Sequence, residues 1–240
     1  MFVPERQVHI QESNGELMSI ETTIESLIDA AIAPKPRVRS GKFNPSSFGY
    51  CYRAQWWNRK DEPMSNPPDN RDIRVMYCGK LFHNFVQELG FKDYKNEVPV
   101  ECEDVMGFAD LVGENEVVDL KSQHSKSFHY MDKFKGDDIK AEKYGNWLQV
   151  LYYARELGKR YGRLTFISKD DLCIRDYIQP LDAYWLNELD IELNMLRLLW
   201  KNNVLPAADP RCKPNKAGEF WQCNYCKFKD KCFNLESKGK

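Results

Sequence analysis

The stretch GFADLVGENEVVDLK, Gly107 to Lys121, decides how this chain reads. Gly107–Val112 and Glu116–Leu120 are two short strand-like runs, and Gly113-Glu114-Asn115 between them has the composition of a turn. Asp110 sits toward the end of the first run, and Asp119 and Lys121 lie two residues apart on the second. Side chains alternate across a strand, so Asp119 and Lys121 project together, and a hairpin brings Asp110 beside them. Val117-Val118 ahead of Asp119 reads as buried strand, where a charge needs a purpose. Two carboxylates converging with an ammonium group suit a hard divalent cation such as Mg²⁺ or Mn²⁺. Such an ion polarises a scissile phosphate and lowers the pKa of an attacking water. The lysine can position that water or offset charge on the phosphorane. An Asp-x-Lys pair alone is common, and a solvated strand edge produces it equally well.

Outward from this hairpin the pattern is helical before and mixed after. Glu21–Ala33 reads as a short amphipathic helix ended by Pro34 and Pro36. Ser46-Ser47 can cap a helix carrying Phe48, Cys51, Tyr52 and Trp56. Asp61–Asp72 reads as an exposed loop, and Ile73–Leu89 as a helix with Val75, Leu81, Phe82, Phe85 and Val86 mostly inward. Glu97–Glu101 alternates like a strand. A long helix is expected over Ile139–Leu157, strands near Arg163–Ser168 and Cys173–Ile178, and a helix from Leu181 to about Lys201 with Leu186, Leu189, Leu193, Leu196 and Leu199 on its apolar face. This order implies an α/β chain, a mixed sheet flanked by helices, ending in a cysteine-rich tail. The expected organisation is a peripheral segment over residues 1–40, a core over 41–205 and the tail over 206–240.

The chain has 240 residues, 42% of them hydrophobic and 13% aromatic, as in a globular protein with one sizeable core. No apolar run approaches the roughly 18 residues that span a bilayer, and MFVPERQVHI lacks the plan of a secretory signal. The expectation is a cytoplasmic protein with no membrane partner, or one of the host cytoplasm if a virus encodes it. The net charge of −1 hides local bias. Arg211–Lys240 holds eight Lys/Arg against three Asp/Glu, and Lys121–Lys135 four lysines and two histidines against one acid. Either run also reads as ordinary solvated surface.

Eight cysteines in a reducing compartment call for metal where they cluster. Cys223-x₂-Cys226-x₅-Cys232 is such a cluster and needs a fourth partner. Cys212 could complete a local zinc site. Gly79-x₃-His83 precedes the hairpin and Gln149-x₃-Tyr153 follows it, the latter pair on one helical face. Arg53, Trp56, Trp57, Arg59 and Lys60 interleave cations with aromatics, as do Lys126, Phe128, His129, Tyr130 and Lys133. Bases stack on such rings while cations meet phosphates.

In order and spacing, from Phe43 to Cys232, the chain resembles the RecB-type branch of the PD-(D/E)xK nucleases. That branch includes the iron–sulfur exonucleases associated with CRISPR loci and AddB-type nuclease domains. The resemblance implies a restriction-endonuclease-like fold with His83, Asp110, Asp119 and the Leu120 carbonyl as Mg²⁺ or Mn²⁺ ligands. It makes Lys121 the catalytic lysine, with Gln149 and Tyr153 organising the site or touching DNA, and Glu97 an acidic residue of the first strand. It implies a [4Fe–4S] cluster on Cys51, Cys223, Cys226 and Cys232, with zinc on Cys212, Cys223, Cys226 and Cys232 as the alternative. Arg53, Trp57, Lys126 and Tyr130 are the expected DNA contacts. The expected activity is a DNA exonuclease acting on single strands or strand ends in recombination, repair or end processing. A non-catalytic nucleic-acid-binding accessory and a structure-specific endonuclease of the same fold are the alternatives. No Gly-x₄-Gly-Lys-Ser/Thr loop is present, so unwinding falls to a helicase or recombination partner.

Overall fold

The Gly113–Asn115 turn forms as its composition implies, with Gly113 N–H bonded to the Glu116 carbonyl at 2.9 Å. It joins β2 (Met106–Val112) to β3 (Glu116–Gln123), and β1 (Lys95–Glu101) lies antiparallel on the other side of β2. A computed structural model describes residues 23–35, 40–134, 137–209 and 221–238. β3 is followed by α4 (Ser125–Tyr130), α5 (Asp137–Glu142) and α6 (Tyr144–Glu156) before the chain returns as β4 (Tyr161–Ser168), parallel to β3. A parallel return needs a crossover of this kind. β5 (Ile174–Pro180) then pairs antiparallel with β4. The described strands thus form one mixed five-stranded sheet in the order β1-β2-β3-β4-β5.

Helices cover both faces. α6 packs on β3 and β4 through Trp147, Leu148, Val150 and Leu151, joined from outside by Trp185, Leu189, Leu193 and Leu196 of α7 (Ala183–Lys201). On the other face Val86 and Phe82 of α3 (Asn70–Glu88) meet Leu111, Val118, Leu120 and Ile167. At the N-terminal side α1 (Ile24–Ile32) leans on α3, and α2 (Tyr52–Arg59) on α7. The described part of the tail, α8 (Trp221–Asn224) and α9 (Lys229–Lys238), packs on α2, with the Trp57 and Phe228 rings 5.3 Å apart.

Several expectations are corrected. Ser46-Ser47 does not cap a helix: Asn44 caps a single 3-10 turn over Pro45–Ser47, Phe48 follows it fully buried, and α2 starts only after Cys51. α3 starts three residues early because the Asp69 carboxylate accepts the Asp72 N–H at 2.7 Å, an N-cap inside the expected loop. On α3, Val75, Leu81 and Phe85 are exposed, because the face toward the sheet is that of Gly79, Phe82 and Val86. The helix expected over Ile139–Leu157 breaks at Lys143 into α5 and α6. On α7 the apolar face runs through Trp185 rather than the exposed Leu186. The Asp182 cap, accepting from Trp185 N–H at 3.1 Å, sets that phase.

The buried α7 stripe carries one acid, Glu192. Gly49 N–H, Tyr52 OH and Gln55 Nε2 donate to it at 3.0, 2.9 and 3.2 Å, tying α7 to α2 and to the segment that precedes it. That segment is steered by close backbone approach. Gly49 has φ +72°, and a Cβ there would lie 3.1 Å from the Gly145 Cα; a Cβ on Gly145 would lie 2.8 Å from the Phe48 carbonyl. The two glycines let the 48–51 loop lie against the start of α6.

Candidate functional site

The β2–β3 ladder pairs Leu111 with Val118 and Val112 with Val117. Continued one step, it sets Asp110 against Asp119, but there a side chain takes over from the backbone. Asp110 Oδ2 accepts the Leu120 N–H at 2.7 Å. The other oxygen, Oδ1, lies 3.5 Å from His83 Nδ1 on α3. His83, Asp110 and the Leu120 backbone are thereby joined, and the Leu120 side chain itself is buried on the α3 side of the sheet.

Asp119 and Lys121 share a face, as their spacing requires. Asp119 is 2% exposed and Lys121 27%, with Lys121 Nζ donating to Asp119 Oδ1 at 2.9 Å and to Gln149 Oε1 on α6 at 3.2 Å. Asp119 Oδ2 lies 2.8 Å from the same Nζ, off the hydrogen-bond direction, and is a buried oxygen with no hydrogen-bond donor among the described residues. Burial pushes the Asp119 carboxyl up to about 6, against the pull of the Lys121 ammonium. Lys121 is itself raised: burial acts to lower it, but the charges of Asp119 and Asp110 outweigh that. The two shifts describe one pair. Lys121 stays cationic because the carboxylates face it, and Asp119 remains under-compensated for so buried a charge. His83 is raised chiefly by its bond to Asp110.

Tyr153 stands one helical turn beyond Gln149. Hydrogen bonds from Gln149 and the Phe108 backbone reach its hydroxyl, whose pKa burial drives far up. Gly107 is what admits it, since a Cβ at 107 would overlap the Tyr153 hydroxyl and lie 3.0 Å from Pro45 Cδ. Glu97, between the paired Asn96 and Val98 of β1, is in left-handed backbone (φ 48°), and its carboxylate accepts from Gln87 Nε2 at 2.8 Å. Tyr50 is a neighbour that the sequence did not single out. Burial raises its hydroxyl, which feels Lys121 and Asp119. It reaches them only because the loop carrying it folds against Gly145, an approach with no local signal.

Two of the expected DNA contacts are not surface groups. Trp57 is 3% exposed against Phe228, which leaves no open ring face for a base. Arg53 is 6% exposed and donates to the Pro206 carbonyl at 2.7 Å and to Cys232 Sγ at 3.3 Å. Both fasten the tail to α2. Arg59 lies between the Phe43 and Trp200 rings at 4.3 and 4.0 Å. Lys126 and Tyr130 are exposed on α4, directly after the strand that bears Lys121, with Lys133 4.7 Å from the Tyr130 ring.

Cys51, Cys223, Cys226 and Cys232 line one cavity of about 690 Å³ between α2, the start of α3 and the tail. Burial pushes the Cys226 thiol up, and Cys51 and Cys232 act on it in the same direction. Cys51, Cys226 and Cys232 are in no disulfide, whereas Cys223 is in one. Cys212 lies outside the described residues. Among the described residues no three His, Cys, Asp or Glu side chains already stand in ligand geometry. The donors at the hairpin nevertheless suit a divalent cation: the carboxylate oxygens of Asp110 and Asp119 and the His83 imidazole. At the cysteine cavity the chemistry of the lining fits a four-sulfur set only once Cys223 is reduced.

With this geometry in view, likeness to known structures is informative about the fold. The chain is similar to the protein SSO0001. That crystal structure matches with a TM-score of 0.52 at 14% identity, over 89% of this chain and 98% of the other. The alkaline exonuclease LHK-Exo of Laribacter hongkongensis matches at 0.49 and 10%, over 69% of this chain and 90% of that one. A phage-related exonuclease from Haemophilus somnus 129PT matches at 0.44 and 16%, over 75% and 92%. No protein-family model and no curated relative matches the sequence. Among the described residues no helix is long and apolar enough to cross a membrane.

Proposed function

We propose that the chain is a metal-dependent deoxyribonuclease whose centre is His83, Asp110, Asp119 and Lys121. The observation that carries this reading is the buried Asp119 carboxylate, set beside Asp110 and raised by burial even with the Lys121 ammonium 2.8 Å from its Oδ2. A buried anion of this kind persists where a cation completes it. The Mg²⁺ or Mn²⁺ ligands are then Asp119, Asp110, His83 and the Leu120 carbonyl. A cation bound there supplies Lewis-acid polarisation of the phosphate and a more acidic water.

The chain's own residues do the rest. Gln149 fixes the Lys121 ammonium from α6, so that it faces the space beside Asp119 without a long side chain's usual freedom. From there Lys121 holds an attacking water or offsets charge gathering on the phosphoryl oxygens. Asp110 locks β2 to β3 through Leu120 N–H while its second oxygen keeps His83 in place. Tyr153 holds the start of β2 through the Phe108 backbone.

The exonuclease form of the reading, on single strands or DNA ends in recombination, repair or end processing, rests on the resemblance in motif order. The cysteines support a second centre, a [4Fe–4S] cluster on Cys51, Cys226, Cys232 and reduced Cys223, close to α3. Wild-type protein with Mg²⁺ or Mn²⁺ is expected to degrade linear single-stranded DNA and to spare a circular single strand. Asp119→Ala and Lys121→Ala, with unchanged circular dichroism, are expected to lose at least a hundredfold in rate, in keeping with the several kcal/mol that such groups supply. Full activity in both variants would refute the assignment, binding without cleavage would favour an accessory role, and cutting of circles would make the chain an endonuclease.

A further inference from the structure

Toward the N-terminus of α3 from the metal centre lies a second group of charged side chains. Arg71, Arg74, Val75 and Cys78 of α3 and Lys169, just after β4, line a cavity of about 460 Å³. Two contacts relate it to the strand that bears the centre. Gly79 follows Cys78 and lies against Ser122, the neighbour of Lys121, with 3.6 Å from an ideal Cβ to Ser122 Oγ. Lys169 N–H bonds the Gln123 carbonyl at 2.8 Å, at the end of the strand that bears Asp119 and Lys121. His83, one turn past Gly79 on the same helix, reaches Asp110. At a rise of 1.5 Å per residue, Arg74 stands about 14 Å along the helix from His83. The side chains of Arg71, Arg74 and Lys169 that line this hollow end in two guanidinium groups and an ammonium group, the groups that pair with phosphate oxygens.

Carboxylates already occupy part of this position. Arg74 pairs with Glu25 of α1 at 2.8 Å and with Asp29 at 3.4 Å, and Asn70 Nδ2 donates to Asp29 at 2.9 Å. α1 buries none of its residues, and its Ile24, Leu27 and Ile28 are exposed. Polar bonds to Asn70 and Arg74 therefore carry much of its attachment, and exposed pairs of this kind hold weakly. The acids Asp170 and Asp171 beside Lys169 are turned elsewhere, to Ser125 N–H at 2.8 Å and to His129 at 2.9 Å.

We propose that Arg71, Arg74 and Lys169 bind backbone phosphates of the DNA strand that occupies the metal centre, and that Glu25 and Asp29 of α1 compete with those phosphates for Arg74. The inference rests on the nuclease reading for its substrate, but its test does not need cleavage. The full chain, in chelator and without divalent cation, is titrated into a dye-labelled single-stranded oligonucleotide, with anisotropy read across a range of KCl concentrations. Every phosphate of a single strand that the protein ceases to neutralise flattens the log–log salt slope by about 0.7. Arg71→Ala/Arg74→Ala/Lys169→Ala is expected to flatten it by about 2 and to weaken binding on the order of tenfold or more at low salt. Glu25→Gln/Asp29→Asn is expected to tighten binding several-fold. Lys169→Ala, which leaves both helices intact, is expected to flatten the slope by about 0.7 alone. Unchanged slope in Lys169→Ala and the triple variant, or weaker binding in Glu25→Gln/Asp29→Asn, overturns the proposal. If wild type cleaves and these variants bind as wild type does, this inference alone fails. If wild type never cleaves while the slopes change as stated, the nuclease reading fails and the phosphate cleft stands.

Discussion

Gly107→Ala puts a methyl group into the approach between β2 and α6. Nothing about the backbone at 107 demands glycine; the constraint is space. The new Cβ would overlap the Tyr153 hydroxyl and sit 3.0 Å from Pro45 Cδ and 3.1 Å from Tyr153 Cε1. Overpacking of this sort costs about 1–3 kcal/mol. Alanine recovers roughly 0.4–1 kcal/mol by restricting the unfolded chain. The net expectation is a loss of about 1–2 kcal/mol. Tyr153→Phe removes the oxygen responsible for the worst overlap, at its own cost of about 1 kcal/mol for the donors left behind. In that background Gly107→Ala should be nearly neutral, because the remaining neighbours need to yield only a few tenths of an ångström. Urea unfolding of the four proteins therefore yields a coupling of about 1–2 kcal/mol. Strict additivity, within about 0.3 kcal/mol, would refute the claim that Gly107 is there to admit Tyr153. Both single variants are also expected to cleave more slowly than wild type, since Tyr153 interacts with Gln149, which accepts the bond that orients Lys121.

Other outcomes follow from the same geometry. Because burial holds Asp119 protonated up to about 6, the folded metal-free chain keeps a proton that the unfolded chain releases. Its stability should therefore fall as pH rises from the ordinary carboxylate range to about 6, a slope that Asp119→Asn removes in thermal melts. Mn²⁺ affinity measured by calorimetry should run the opposite way, weakening as pH drops through 6 because the proton competes with the ion. Asp69→Ala should cost about 1 kcal/mol through loss of the α3 cap, read as a lower midpoint in urea. Trp57→Ala should cost about 3–5 kcal/mol by emptying the space against Phe228, while leaving the salt slope of DNA binding unchanged at temperatures where it stays folded. Protein purified under anaerobic reducing conditions should absorb broadly near roughly 400 nm if the thiols hold a cluster; a colourless protein with stoichiometric zinc would assign the cysteines to zinc instead.

The grouping of Asp110, Asp119 and Lys121 was legible because it is local. A two-residue period and a three-residue turn are enough to place Asp110, Asp119 and Lys121 together. Gln149 and Tyr153 were legible for the same reason, through helical spacing. The misread residues depend on partners far away in the chain. Trp57 and Arg53 look like a cation–aromatic surface until Phe228 and Pro206 arrive from the tail to bury them. Apolar residues lie on several sides of α3, so its pattern does not say which face meets the sheet; that is settled by Phe82 and Val86 meeting Leu111, Val118, Leu120 and Ile167, partners from distant strands. Leu186 and Trp185 are one residue apart, a rotation of about 100° on a helix, and the Asp182 cap chooses between them. Tyr50 had no signal at all, because its place follows from Gly49 and Gly145 meeting across nearly a hundred residues.

The central claim is that Asp110, Asp119 and Lys121 cleave DNA with a divalent cation. Its most direct measurement is a time course on linear single-stranded DNA labelled at either end, with Mg²⁺, with Mn²⁺ and with chelator, for wild type and Asp119→Asn. Progressive loss of the strand is predicted with either cation, none in chelator, and none with Asp119→Asn. Cleavage that persists in chelator or in Asp119→Asn, or none by wild type with either metal, would contradict the claim.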